Sequence, residues 1–130
     1  MLLDTSGLFH LMNTTEPRHA EAQEFYRAAP IRLTHSYVLA EFVALATARG
    51  VDRNALLRYI DELINEPEVE FHWIGETAFR AAIALLEHRR DKTYSLCDAI
   101  SFVLMKERNV ADALTSDHHF EQEGFRRLLV

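Results

Sequence analysis

Short apolar runs alternate along the chain with longer amphipathic segments. Apolar runs occupy residues 1–3 and 31–34, and the aromatic, β-branched segment 69–74 favours a strand. Further short strands are predicted over residues 111–115 and 125–130. Apolar positions at helical spacing predict helices over residues 16–28, 36–49, 76–90 and 95–108, with a helical turn over 117–122. One more helix begins after an N-cap at Asp52 and ends before Pro67, and Gly50 is placed to stop the helix before it.

This order of elements indicates the fold class. Strands that alternate with helices of about 10–15 residues are typical of βαβ units. Such units form an α/β fold, with a mostly parallel sheet covered by helices on both faces. In these sheets, functional residues gather at the carboxyl ends of the strands.

The composition is that of an ordinary globular protein. The chain has 130 residues, of which 48% are hydrophobic and 26% charged, enough to bury a core. We therefore expect one domain over residues 1–130, and we exclude a disordered tail, a collagen-like fibre and a tandem-domain protein. The longest apolar run, residues 81–86, is too short to cross a bilayer.

Two sequence features bear on location. The N-terminal segment lacks basic residues and reaches Asp4 at once, which argues against a signal peptide. The single cysteine, Cys97, excludes an intramolecular disulfide and is compatible with a reducing compartment. We expect a cytoplasmic protein.

The net charge limits how the chain can bind a polyanion. It is −6, from 14 basic and 20 acidic side chains, which is the wrong sign for coating nucleic acid by bulk attraction. A polyanionic substrate would require local positive charge, and a bound metal ion is one way to supply it.

Two acidic residues follow predicted strands directly. Asp4 comes after the first apolar run, and Asp117 comes after the strand predicted over 111–115. Each has a purely structural explanation as a helix N-cap, because Thr and Ser residues lie beside both. Either can also reach a site at the edge of the sheet.

Two more acidic residues lie on predicted helices. Glu41 is surrounded by apolar residues in VLAEFVALA, where a buried carboxylate is costly unless it is paired or bound to a cation. The alternative is a solvent-facing Glu on a partly buried helix. Asp98 follows Ser95 at capping-box spacing, a role that does not exclude ligation from the first turn.

The four acids flank different elements at one predicted sheet edge. A cluster of carboxylates repels itself without a cation, so the set predicts metal binding. Oxygen ligands favour Mg²⁺ or Mn²⁺, and no Cys or His pattern has zinc spacing. One or two such ions can activate water for in-line attack on a phosphodiester.

These residues give the chain a resemblance to PIN-domain ribonucleases, and among them to VapC-like toxins of type II toxin–antitoxin pairs. LLDTSGL is similar to the family's first block, around its leading acid, here Asp4. VLAEFVAL is similar to the block that carries its glutamate, here Glu41. SLCDAISFVLMKERNVADALTSDHHFEQEGF is similar to the final blocks and places the third and fourth acids at Asp98 and Asp117. Each block alone is a weak motif, but their order along the whole chain is specific.

The resemblance implies a three-layer α/β/α sandwich in which the four acids are catalytic and metal-binding residues at the carboxyl edge. It implies Mg²⁺- or Mn²⁺-dependent endonucleolytic cleavage of RNA, with 5′-phosphate and 3′-hydroxyl products. It also implies a homodimer and a small antitoxin whose tail occupies the active site. Hydroxyl residues often accompany the acids in this family, and Thr5, Ser6 and Thr115 match such positions. Metal count and use of the fourth acid vary within the family.

Basic and aromatic residues offer further candidates for RNA contact. Arg89, Arg90 and Lys92 precede Asp98 and can contact phosphates, or can simply form a solvated helix end. Aromatic side chains can stack on bases, although we expect Trp73 in the core. The aromatic candidates are Tyr37, Trp73 and Tyr94.

The adjacent His118 and His119 invite a metal-binding interpretation. Neighbouring residues on a helix point about 100° apart, so we expect them not to share one ion. We expect His119 to pack or cap near the site, and Cys97 to fill a small space in the core.

Two other acidic α/β classes lack their motifs here. A receiver-type signalling domain needs paired acids after the first strand and a late Lys-Pro, and a haloacid-dehalogenase-type phosphatase needs D-x-D. Asp4-Thr5-Ser6 supplies a single acid and no Lys-Pro occurs. Two alternatives stay open: a solitary RNA-processing or DNA-directed nuclease without an antitoxin, and a metal- or RNA-binding module with weak catalysis.

Overall fold

The computed structural model describes residues 1–130 as short strands that alternate with helices. The strands are β1 (Leu2–Leu3), β2 (Leu33–His35), β3 (Glu70–His72), β4 (Asp112–Leu114) and β5 (Arg126–Arg127). The helices are α1 (Thr5–Met12), α2 (His19–Ala28), α3 (Ser36–Ala48), α4 (Arg53–Asn65), α5 (Glu76–His88), α6 (Leu96–Glu107) and α7 (His119–Gln122). None of these helices has the length and apolar character needed to cross a membrane.

The strands form one parallel sheet in the order β3-β2-β1-β4-β5. The central strand β1 pairs with β2 on one side and with β4 on the other. After β1 the chain moves to one side of the sheet, whereas after β4 it moves to the other. The two connections therefore diverge and leave a crevice at the carboxyl ends of β1 and β4. The expected α/β class with a central parallel sheet is confirmed.

Side chains that alternate along the strands fill a core on each face of the sheet. Leu3 and Leu114 belong to a buried cluster that includes residues of α1, α2, α3 and α4. Leu2 and Ala113, their strand neighbours, belong to a second cluster with residues of α6 and α7. Successive residues of a strand point to opposite faces, so each central strand contributes to both clusters. Helices cover both faces, which gives the three-layer arrangement.

Helix α1 has no counterpart among the elements predicted from periodicity. Its sequence TSGLFHLM is only eight residues long and contains a glycine, a poor helix former. Packing stabilises it instead, since Leu8 and Phe9 are buried. Gly7 lies so close to β4 that a Cβ at this position would overlap the backbone carbonyl of Leu114.

Other elements are shorter than their hydrophobic patterns suggested. The last strand was expected over residues 125–130 but pairs only at Arg126–Arg127, although Leu128 and Leu129 are buried.

The expectation that Trp73 lies in the core was wrong, because Trp73 is 72% exposed just after the edge strand β3. The prediction for Gly50 is confirmed: it follows α3 with a φ of 76°, a conformation that favours glycine.

The contact between α1 and β4 predicts a specific intolerance to substitution. Gly7→Ala is expected to destabilise the fold by about 2 kcal/mol or more, because the added methyl overlaps backbone that cannot rotate away. Gly75→Ala is the matched control, since a Cβ there meets nothing within 4 Å. Thermal and urea denaturation measure both variants, and equal stability of the two would contradict this account.

Candidate active site

Asp4 lies at the centre of the crevice and is held by the end of β4. It follows β1 directly, is only 5% exposed, and its backbone N–H donates to the Leu114 carbonyl (3.3 Å). The Thr115 hydroxyl donates to Asp4 Oδ2 at 2.7 Å. Asp4 occupies the N-cap position of α1 but makes no side-chain capping hydrogen bond. The helix-cap interpretation of this carboxylate is therefore not realised.

Hydroxyl groups connect the loop after β1 with the loop after β4. The Ser6 hydroxyl lies 3.3 Å from the Thr115 hydroxyl and accepts a hydrogen bond from the Ser116 N–H (2.9 Å). The Asp117 N–H donates to Thr115 Oγ1 at 3.0 Å. The Thr5 hydroxyl is buried beside them and has no hydrogen-bond partner. All three hydroxyls singled out in the sequence thus lie around Asp4.

Asp98 combines the capping role with a second contact. It forms a capping box with Ser95 at the start of α6, with both hydrogen bonds at 3.0 Å. The His119 ring nitrogen Nδ1 also lies 3.0 Å from Asp98, and His119 Nε2 lies 3.0 Å from the Thr93 hydroxyl. Both the Ser95 N–H and the His119 ring meet Oδ2. Oδ1 of Asp98 makes no hydrogen bond and is free for a ligand.

Glu41 is exposed, so the expectation that its helix buries this carboxylate was wrong. Helix α3 packs through Val38, Leu39, Phe42 and Ala46, and Glu41 lies off that apolar stripe. It instead borders a cavity of about 250 Å³ at the carboxyl edge of the sheet. The lining residues are Asp4, Thr5, Ser6, Glu41, Leu45, Arg49, Ser116 and Asp117.

The structure thus brings three of the four acids to one cavity, with Asp98 beside it. Burial and, to a smaller extent, the charges of Asp98 and Glu41 together raise the pKa of Asp4 to about 7, against the opposing Thr115 hydrogen bond. Burial also raises the pKa of Asp98, with a contribution from the charge of Asp117. Asp4 and Asp98 therefore lie in an environment that favours protonation or a bound cation.

A buried histidine ties together the helices that carry Glu41 and Asp98. His35 ends β2, and its Nδ1 accepts from the Val38 N–H at the start of α3 (3.3 Å). Its Nε2 lies 2.8 Å from the Ser101 hydroxyl of α6. Burial lowers the pKa of His35 to about 3, so the ring is neutral and Nε2 carries the proton. The two hydrogen bonds set α3 and α6 relative to one another.

The adjacent histidines lie close to Asp117. His118 and His119 have ring centroids 4.6 Å apart, and their Nδ1 atoms lie 3.7 and 3.4 Å from Asp117 Oδ1. One ligand atom from each of these three residues falls within 4.8 Å of the others. His118 is the N-cap of α7, and His119 is its first residue. His119 packs against the Tyr94 ring and lies 3.0 Å from Asp98, in agreement with the expectation that it packs near the site.

The basic residues considered for RNA contact do not line the cavity. Arg89 forms a two-point ion pair with Glu123 at 3.1 and 3.3 Å, and Lys92 lies 3.6 Å from Asp91. Arg90 is exposed. Pattern analysis missed Arg49, the one basic residue that lines the cavity. It follows Glu41 and Leu45 at successive four-residue steps, a spacing that places all three on one side of α3.

The comparisons with known proteins identify the class. The sequence matches the PIN domain over residues 1–125, and the chain belongs to the PIN-domain family. It is 29% identical over 126 residues to the 23S rRNA-specific endonuclease VapC20 of Mycobacterium tuberculosis, strains CDC 1551 / Oshkosh and H37Rv, an alignment that covers 96% of this chain and 95% of the relative.

The fold agrees with that relationship. The crystal structure of Mycobacterium tuberculosis VapC20, described as a sarcin–ricin loop cleaving toxin, superposes with a TM-score of 0.85 and 26% identity over 95% of each chain. The sequence resemblance to PIN-domain ribonucleases of the VapC type is confirmed, and so is the three-layer PIN-like fold.

The raised pKa of Asp4 predicts how metal-free stability depends on pH. Its folded-state pKa of about 7 lies above the ordinary 3.8, so between these values the folded protein holds more protons than the unfolded chain. Stability from this group is therefore lost as pH rises through the window. We expect metal-free Asp4→Asn to melt at a higher temperature than wild type at pH 8, and the difference to shrink toward pH 4.5.

Glu24→Gln is the control for this measurement, because Glu24 is an exposed carboxylate on α2. It should leave the pH profile of the melting temperature unchanged. If the melting temperatures of wild type and Asp4→Asn changed in parallel between pH 4.5 and 8, the loss of stability with rising pH would not come from Asp4.

Proposed function

We propose that this chain is a Mg²⁺- or Mn²⁺-dependent endoribonuclease and the toxin of a toxin–antitoxin pair. The observation that carries the proposal is the meeting of Asp4, Glu41 and Asp117 at one cavity, with Asp98 beside it, in the crevice of a PIN domain. The two descriptions of its relative VapC20, a 23S rRNA-specific endonuclease and a sarcin–ricin loop cleaving toxin, support RNA as the substrate.

The residues at the cavity fit a hard divalent cation. The donors are carboxylate oxygens, which Mg²⁺ and Mn²⁺ prefer. Asp98 Oδ1 is free of hydrogen bonds, and a cation would relieve the unfavourable burial and mutual repulsion that raise the pKa of Asp4. In this proposal Asp4, Glu41 and Asp98 hold one or two ions, and Asp117 completes the site directly or through water. Bound there, the metal supplies an activated water molecule and charge neutralisation at the phosphate.

The chain's own groups orient these ligands. The Thr115 hydroxyl fixes Asp4 by donating to Oδ2, and the Ser6 hydroxyl fixes the loop that carries Thr115. The His119 ring and the Ser95 N–H both contact Oδ2 of Asp98 and so orient its carboxylate. The unpartnered, buried Thr5 hydroxyl provides a hydrogen-bonding group for a polar ligand at the cavity. Hydrolysis in this arrangement leaves a 5′-phosphate and a 3′-hydroxyl.

The substrate we favour is a structured loop of ribosomal RNA. The relative VapC20 is named a 23S rRNA-specific endonuclease and its crystal structure a sarcin–ricin loop cleaving toxin, and the chain matches it along nearly its whole length. Proteins recognise such RNA mainly through unstacked loop bases and through shape. Arg90 and Lys92 stay candidates for backbone contact, whereas Arg89 would first have to leave Glu123.

The partners follow from the same assignment. We infer a small antitoxin whose tail occupies the acid-lined cavity, a homodimer, a single PIN domain over residues 1–130, and a cytoplasmic site of action, where ribosomal RNA is found. The acidic cavity suits an antitoxin tail that offers a basic side chain, since such a group would displace metal and satisfy the carboxylates.

RNA cleavage tests the central proposal. With Mg²⁺ or Mn²⁺, wild type should cut a labelled sarcin–ricin loop hairpin or another structured RNA, and EDTA should abolish cutting. Asp4→Asn and Asp98→Asn should each lower the cleavage rate by about 100-fold or more, beyond the 10–100-fold typical of losing an outer-shell partner. Glu24→Gln should cut like wild type. Cleavage that survives in EDTA or in Asp4→Asn would reject this site.

The contact between His119 and Asp98 gives a further prediction. His119→Ala should weaken Mn²⁺ binding, measured by calorimetry, and cleavage by about 10–100-fold, because Asp98 loses a partner that orients it. His119→Asn should recover much of both, since its side-chain amide N–H can take the position of Nδ1. His88→Ala, an exposed histidine at the end of α5, should change neither. Equal Mn²⁺ affinity in His119→Ala and wild type would overturn this role.

A further inference from the structure

Arg49 is placed at the rim of the acid-lined cavity by the end of helix α3. It is the C-cap residue of that helix, and its guanidinium carbon lies 4.9 Å from the centre of the Phe9 ring. Phe9 itself is buried and 3% exposed, so the aromatic face that supports Arg49 is rigid. This cation–π contact holds the guanidinium beside the cavity that Asp4, Glu41 and Asp117 line.

The guanidinium makes no ion pair, although three carboxylates line the same cavity. Other arginines of this chain form two-point ion pairs: Arg108 with Glu70, and Arg126 with Asp112 at 2.9 and 2.7 Å. The Arg49 side chain has neither a salt bridge nor a hydrogen bond, and its charged end lies over the Phe9 ring. Its five N–H donors are therefore available to a ligand.

The electrostatics of the cavity indicate what that ligand is. Arg49 is the only basic residue among the lining residues, in a chain of net charge −6. A phosphodiester that approaches carboxylates is repelled unless positive charge offsets them. A planar guanidinium matches two phosphate oxygens and binds them more tightly than an isolated point charge would.

We propose that Arg49 anchors a phosphate of the RNA backbone at the rim of the acid-lined cavity. This role rests on the proposed ribonuclease function and adds to it a substrate-binding residue that is separate from the metal ligands. Because the guanidinium is stacked on Phe9 rather than paired, the anchor is oriented before RNA arrives. It contacts phosphate and not base, so its contribution to affinity is the same for different sequences.

RNA binding in a cleavage-deficient background tests the inference. The affinity of a fluorescent RNA hairpin is measured by anisotropy, with Mg²⁺ present and NaCl varied, for Asp4→Asn alone and combined with Arg49→Met, Arg49→Lys or Arg58→Met. Arg58 is the matched control, an exposed arginine on α4. Arg49→Met should weaken binding about 10-fold, as expected for a charge-assisted hydrogen bond, and flatten the slope of log affinity against log salt by about 0.7.

The other variants separate phosphate binding from a structural role. Arg49→Lys should recover the salt slope but only part of the affinity, since it keeps the charge and loses the planar fork. In the otherwise wild-type chain, Arg49→Met should keep the wild-type melting temperature and bind Mn²⁺ at least as tightly as wild type, because a positive charge has left the cavity rim. Lower Mn²⁺ affinity or a lower melting temperature would overturn the inference in favour of a role in helix structure.

Failure of this inference is distinguishable from failure of the proposed function. If wild type cleaves RNA but Arg49→Met and Arg58→Met give the same affinity and slope, Arg49 has no such role and the nuclease assignment stands. If wild type binds RNA without cutting it while Arg49→Met flattens the slope, the phosphate anchor stands and the nuclease proposal fails. A wild-type chain that binds no RNA would reject both.

Discussion

The hydrogen bond from Thr115 to Asp4 depends on the position of β1 and β4 as parallel neighbours at the centre of the sheet. The two residues are 111 positions apart, yet their side chains meet at 2.7 Å in a buried environment. Each directly follows its strand, and the chain leaves the two strands in opposite directions. Gly7 permits α1 to pack against β4 at this point. Without that approach the loops after β1 and β4 would not share one cavity.

Gathering carboxylates in this crevice opposes folding. Burial and neighbouring charge shift the pKa of Asp4 upward, so its ionised form is disfavoured in the metal-free protein. The hydrophobic clusters on both faces of the sheet have to compensate for this cost. A bound cation would replace the repulsion between the carboxylates with attraction to the ion. The same ion would give an acidic protein an attraction for phosphate. The feature that lowers stability is thus the one that the proposed chemistry requires, a conflict common at active sites.

A helix cap in this chain leaves room for a ligand on the same carboxylate, which explains why local patterns were ambiguous. Asp98 satisfies the capping box through Oδ2 alone and leaves Oδ1 free. Asp4 stands at an N-cap position without a capping hydrogen bond, and its Oδ2 accepts instead from the Thr115 hydroxyl. Glu41 lines the cavity from an exposed position, so its apolar neighbours in the sequence do not bury it. A carboxylate has two oxygens, and the sequence does not show which oxygen accepts a hydrogen bond or which group donates it.

The sequence by itself determined the α/β class, the order of most elements, the end of α3 at Gly50 and the four acids now found around the crevice. These follow from periodicity, turn chemistry and ordered motifs, all of which are local. Only the tertiary structure decided the strand order, the helix α1, the contact of His119 with Asp98, the pairing of Arg89 with Glu123 and the unpaired state of Arg49. The physical reason is that hydrophobic spacing reports whether a side chain is buried, whereas hydrogen-bond and charge partners come from distant segments that meet only when the sheet is assembled.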